Sequence, residues 1–109
     1  MEYLVTMTAH VPDGTSKEAV SDVRAREAVR SRELAAQGPL LRLWRPPLWV
    51  LPGQGRALGL WRARDAAEMQ ATIQSLPLFA WMIVEITPLT QHPSDPAIAT
   101  TEGAGYGLS

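Results

Sequence analysis

The chain has 109 residues, with ten Lys and Arg against eleven Asp and Glu, and no cysteine. That length holds one domain but not a cofactor domain beside a substrate domain, and a net charge of −1 offers no field for nucleic acid or an anionic membrane surface. The missing cysteines exclude a disulfide framework, a zinc-thiolate site and thiol catalysis. His10 and His92 stand far apart, so no metal site is expected, and no segment reads as a leader or a bilayer span, which points to a soluble cytoplasmic protein.

Residues Tyr3 to Val11 alternate, with Tyr3, Val5, Met7, Ala9 and Val11 on one face, and predict a half-buried strand. Pro12-Asp13-Gly14 breaks it, and Thr15 with Glu18 three residues on predicts a capping box opening a helix over Ser16 to Gln37, stopped by Gly38. Leu40 to Val50 predicts a second strand. Pro46-Pro47 interrupts it and calls for an edge, a bulge or an early end, because proline donates nothing to a ladder. Pro52-Gly53-Gln54-Gly55 reads as a turn and Ala57 to Ala63 as a third strand. Asp65 with Glu68 opens a second helix through Ile73 or Ser75, and Trp81 to Leu89 forms the fourth strand. The order β-α-β-β-α-β is the ferredoxin-like α+β plan, an antiparallel four-stranded sheet with two helices on one face. Its other face calls for a partner sheet, so a homo-oligomer is expected. From His92 onward periodicity is lost. Residues 1–95 are therefore read as the domain and 96–109 as a flexible or subunit-crossing tail.

The first helix carries an anomaly. Wound at about 100° per residue, it puts Val20 and Leu34 within roughly 20° of Glu27, and Val23 and Ser31 within roughly 40°. A carboxylate thus occupies the centre of the core-facing stripe. Without water and without a partner its pKa rises toward the range of a proton shuttle. Paired with Arg24, Arg30 or a strand arginine it would instead fix packing, and position alone leaves both readings open.

Several strings in this order resemble the muconolactone Δ-isomerase family: Arg24 to Leu34 with Glu27 and Arg30-x-x-Glu33-Leu34, then Leu43-Trp44-Arg45, then Leu76-Pro77-Leu78-Phe79 with Met82, and finally Leu89 with His92-Pro93-Ser94. They span roughly residues 3–95. The resemblance implies a subunit of the dimeric α+β barrel type in a homo-oligomer, a dimer or a ring-like decamer. It also implies cofactor-independent movement of a double bond in an unsaturated lactone during aromatic-acid breakdown. Glu27 matches that family's proton-transferring glutamate. Such a reaction passes through a dienolate, for which Arg45, the Trp44 indole N–H or backbone amides are candidate donors. Trp44, Phe79 and Trp81 join Arg45 as candidate substrate contacts, against their alternative as core or interface aromatics; Trp61 is read as core or interface. Two departures stand out. The segment between Arg45 and Trp61 is about five residues longer than the family pattern, and the family histidine near the third strand has no counterpart, Gln54 being nearest. They keep open an isomerase or cyclase acting on a larger natural-product intermediate, and a non-catalytic ligand-binding or assembly module.

Overall fold

A computed structural model describes residues 1–46 and 54–98. Strand β1 (Glu2–His10) leads to helix α1 (Lys17–Gln37), then β2 (Leu40–Trp44), β3 (Gln54–Arg62), α2 (Ala66–Gln74), a 3-10 helix (Pro77–Trp81) and β4 (Met82–Leu89). The sheet order is β2-β3-β1-β4 with every neighbouring pair antiparallel, which is the ferredoxin-like arrangement expected.

Alternation decides what β1 buries. Tyr3, Val5 and Met7 face the helices and join Leu34, Trp61, Met69, Ile73 and Leu76 in the core. Their cross-strand partners on β3 are Trp61, Gly59 and Ala57, so that face is continuous across the sheet. The opposite face carries Leu4, Thr6, Thr8, Leu58, Leu60 and Ile83, and Ile83 is 69% exposed. No described helix is long and apolar enough to cross a membrane.

Several expected boundaries move. The α1 cap is Ser16, whose hydroxyl accepts from Ala19 N at 3.1 Å, and not Thr15. Thr15 spends its own hydroxyl on Pro12 O at 2.6 Å, inside the turn that ends β1, and the next hydroxyl takes the cap. Gly38 stops the helix at φ 110°, donating to Leu34 O. Within the expected Leu40–Val50 strand, pairing ends at Trp44, ahead of Pro46. Pro47 to Gly53, including the start of the expected Pro52–Gly55 turn, lie outside the described residues. Gln54 and Gly55 belong to β3 rather than to a turn, because β1 reaches His10 and supplies their partners, His10 opposite Gln54 and Ala9 opposite Gly55. Trp81 closes the 3-10 helix instead of opening β4, since Pro77 starts a turn with a φ already suited to it. Of the expected tail, residues 96–98 are helical, following Asp95, and 99–109 lie outside the described residues.

The expected cap of α2 is present, with Asp65 Oδ1 accepting from Glu68 N at 2.9 Å. Glu68 reaches back to Arg64 N, at 2.8 Å, rather than to Asp65 N. Asp65→Ala removes this cap and leaves a helix of nine residues with an unmet donor. The expected loss is about 1 kcal/mol in urea unfolding, with Asp65→Asn retaining most of it; equal midpoints for the alanine variant and the parent would refute it.

β2 and β3 pair with a register shift between Leu40 and Arg42. Leu40 lies opposite Trp61, but Arg42 lies opposite Leu60, so one extra residue is accommodated on β2. From there on the alternation of β2 is reversed. Leu43 faces the helix side with Gly59, while Arg42 and Trp44 face the other side with Leu60 and Leu58.

Candidate active site

Between α1, the 3-10 helix and the β2–β3 end of the sheet lies a cavity of about 630 Å³. Helix α1 contributes Arg24, Glu27 and Ser31, spaced three and four apart and therefore on one face. The strands contribute Met7, Leu43, Ala57, Trp61 and Met82, and the 3-10 segment contributes Leu76 and Leu78. Arg45 and Pro46 stand at the end of β2 on the same side. The lining is apolar apart from one carboxylate, one hydroxyl and the arginines Arg24, Arg45 and Arg56, all three of which are exposed. That balance suits a small ligand with an anionic end.

Glu27 is half-buried in this wall, as its place on the helix stripe predicts. Its Oε1 accepts a hydrogen bond from Leu78 N at 2.9 Å. Burial raises its pKa above the ordinary 4.5, and the Leu78 hydrogen bond opposes part of that rise. The ion-pair alternative is not formed. Arg30 turns to Ser75 Oγ, at 3.2 and 3.1 Å, and to Glu33 at 3.4 Å, while the other α1 pair is Arg26 with Asp22. Among the described residues no cation lies within 4.0 Å of the Glu27 carboxylate. A group so placed can accept a proton and return it.

The other candidates separate. Arg45 borders the cavity, but Trp44 does not. The register after the β2 bulge puts Leu43 on the cavity side opposite Gly59 and Trp44 on the far face opposite Leu58, and Arg45 borders the cavity just beyond the end of the strand. Trp44 lies on the far face, 40% exposed, with the Arg42 guanidinium 5.0 Å from its ring centre. Phe79 packs against the core and Trp81 is half-buried, both outside the lining because the 3-10 helix turns Leu76 and Leu78 inward instead. Trp61, read as core or interface, is 1% exposed and also forms part of the cavity wall. Its indole N–H is buried with no hydrogen-bond partner among the described residues. Ser31 and Leu78 were also missed as site residues. Ser31 was legible from its angle beside Glu27, whereas the Leu78 amide carries no side-chain signal. His92 takes no part in the cavity; its Nδ1 accepts from Ser94 N at 2.9 Å and ties the turn after β4. Gln54 contributes only its backbone register, its side chain lying outside the described residues. Among the described residues no cluster of three or more His, Asp or Glu is arranged to hold a metal.

A ferredoxin-like subunit with a lone, partly desolvated carboxylate in an apolar cavity defines a class: small α+β proteins equipped for proton transfer on a bound organic ligand. The model of the family described as muconolactone delta-isomerase matches residues 1–95. Muconolactone Delta-isomerase 1 of Acinetobacter lwoffii is 33% identical over 94 residues, covering 86% of this chain and 93% of the relative. The Rhodococcus opacus muconolactone Delta-isomerase is 32% identical over 91 residues, covering 84% and 92%. A crystal structure of muconolactone isomerase superposes with a TM-score of 0.74 at 25% identity, over 87% of this chain and 94% of that one. The chain belongs to the muconolactone Δ-isomerase family.

Proposed function

We propose that this protein is a cofactor-independent isomerase that moves a double bond within an unsaturated lactone of the muconolactone type, with Glu27 as base and then acid. The observation carrying this is Glu27 itself, half-buried in the cavity wall, with no cation within 4.0 Å among the described residues, and raised in pKa by burial. Glu27 takes a proton from the ring carbon next to the conjugated system, and the C–H electron pair enters a dienolate. The same carboxyl then returns the proton to a different carbon, so the double bond moves and nothing is gained or lost. Arg45, exposed at the cavity mouth, binds the substrate carboxylate. The far sheet face, with Leu4, Leu58, Leu60 and Ile83, is closed by a second copy in a cytoplasmic homo-oligomer, a dimer or a larger ring.

Incubating the protein with muconolactone in deuterated solvent tests the reading. Enol-lactone formation with or without solvent deuterium at the receiving carbon is the expected result, and no conversion at any protein concentration would overturn it. Arg45→Ala is expected to raise KM by roughly 10- to 100-fold with a smaller change in kcat, and Arg45→Lys to recover part of that, since it restores charge without the planar fork. An unchanged KM would remove Arg45 from substrate binding. The cavity exceeds what a small monocyclic lactone fills, which favours a second reading, isomerisation or cyclisation of a larger natural-product intermediate. Conversion of bulkier polyene lactones without conversion of muconolactone would select it.

A further inference from the structure

We propose that the backbone amide of Leu78 is the positioning group of the Glu27 base, holding Oε1 so that Oε2 is the oxygen that carries the proton; this rests on the function proposed above. The geometry comes from the 3-10 helix. It begins after Leu76, which supplies no side-chain cap, and Pro77 in its first position has no N–H to satisfy. The Leu78 N–H is therefore the first unmet donor of the turn. Phe79 N, the next, is already bonded to Leu76 O at 2.9 Å. The partner Leu78 finds is the carboxylate 51 residues earlier in the chain, on the facing helix.

Glu27 thus caps a turn on which it does not lie, and the turn in return fixes the carboxylate. A glutamate on three rotatable bonds is poorly aimed unless something holds its end. Here one oxygen is held by a donor that cannot move without moving the turn, and among the described residues the other accepts no hydrogen bond. The remaining charged groups around it are Arg24 from α1, Arg45 beyond β2 and Arg56 from β3; the 3-10 helix and β4 present only Leu78 and Met82. Burial and this single amide pull the Glu27 pKa in opposite directions. The string Leu76-Pro77-Leu78-Phe79 gains a chemical purpose: proline sets the turn and leaves the next amide available.

The test replaces one backbone amide with an ester in the full-length protein by semisynthesis, using the α-hydroxy analogue of leucine at 78, and in a control the α-hydroxy analogue of phenylalanine at 79. Each loses one N–H hydrogen bond, the first the bond to Glu27 and the second the turn bond to Leu76 O. Titration of a ¹³C-labelled Glu27 carboxyl reads the free protein, and pH profiles of kcat and kcat/KM read turnover. The ester at 78 is expected to raise the Glu27 pKa, move the acid limb of kcat/KM upward and lower kcat by about ten-fold with little change in KM. The control is expected to leave the Glu27 titration in place. An unshifted titration in the 78 ester, or the same shift in both esters, overturns the proposal. A shift confined to the 78 ester in a protein that converts no muconolactone upholds the clamp and overturns only the assigned reaction.

Discussion

Glu27→Gln is expected to lower kcat by roughly 10² to 10⁴-fold, the range for losing a positioned acid–base group, while leaving the fold intact and slightly more stable at neutral pH. The stability gain follows from the sign of the pKa shift. Burial raises the folded pKa of Glu27 above 4.5, so the folded state holds the proton more tightly than the unfolded chain does. The contribution to stability is then complete below about 4.5 and is lost as pH rises through the folded value. Glutamine is neutral at every pH and its amide oxygen still accepts from Leu78 N, so it keeps the contact without the cost of a half-buried charge. In the parent enzyme the acid limb of kcat/KM falls above 4.5, because the base must be ionised to work. Urea unfolding of both proteins across the pH range, together with initial rates, checks the three statements. Full activity in Glu27→Gln would remove the residue from the chemistry.

Gly59→Ala produces the largest expected loss of stability. Gly to Ala in a strand ordinarily helps by about 0.5–1 kcal/mol, because alanine gives up less backbone freedom on folding. Here a Cβ would collide with Trp61 Nε1, and Trp61, 1% exposed and packed in the core, could yield only by leaving its packed position toward the cavity it lines. Overpacking of this kind costs about 1–3 kcal/mol and outweighs the backbone gain. Trp61 is also part of the cavity wall, so the displaced ring is expected to lower turnover even in the fraction that remains folded. Equilibrium unfolding and the near-ultraviolet signal of the tryptophans measure both effects. Parental stability with an unchanged tryptophan signal would show that the indole does not lie against Gly59.

Period and punctuation carried the fold. The alternation of Tyr3, Val5 and Met7, the Asp65 cap and the Gly38 stop each act through local rules, and each survives in the structure. Glu27 was legible for the same reason, since a helical angle needs only counting. The Thr15 cap failed because two hydroxyls stood in line and the preceding turn claimed the first. Trp44 and Arg45 could not be assigned to a wall because facing on β2 depends on a bulge, and nothing in Leu40 to Trp44 marks where it falls. Trp61 is both core and cavity wall, which its position could not separate because a core tryptophan and a cavity-lining one obey the same alternation. Leu78 acts through its main chain, on which the side-chain pattern is silent.

The bulge in β2 makes the chemical character of the cavity mouth a matter of parity. Leu40 enters the strand facing the core, and one accommodated residue later it is Leu43 and Arg45 that look inward. Strict alternation from Leu40 would have turned Arg42 and Trp44 toward the ligand and sent Arg45 to the opposite face. Losing the bulge while keeping its extra residue would therefore exchange a cationic gate for an aromatic one, whereas deleting that residue leaves Leu43 opposite Gly59 and Trp44 opposite Leu58. Among relatives of this chain, an aligned arginine or tryptophan at this place identifies a wall of the cavity only once the residues back to the bulge have been counted.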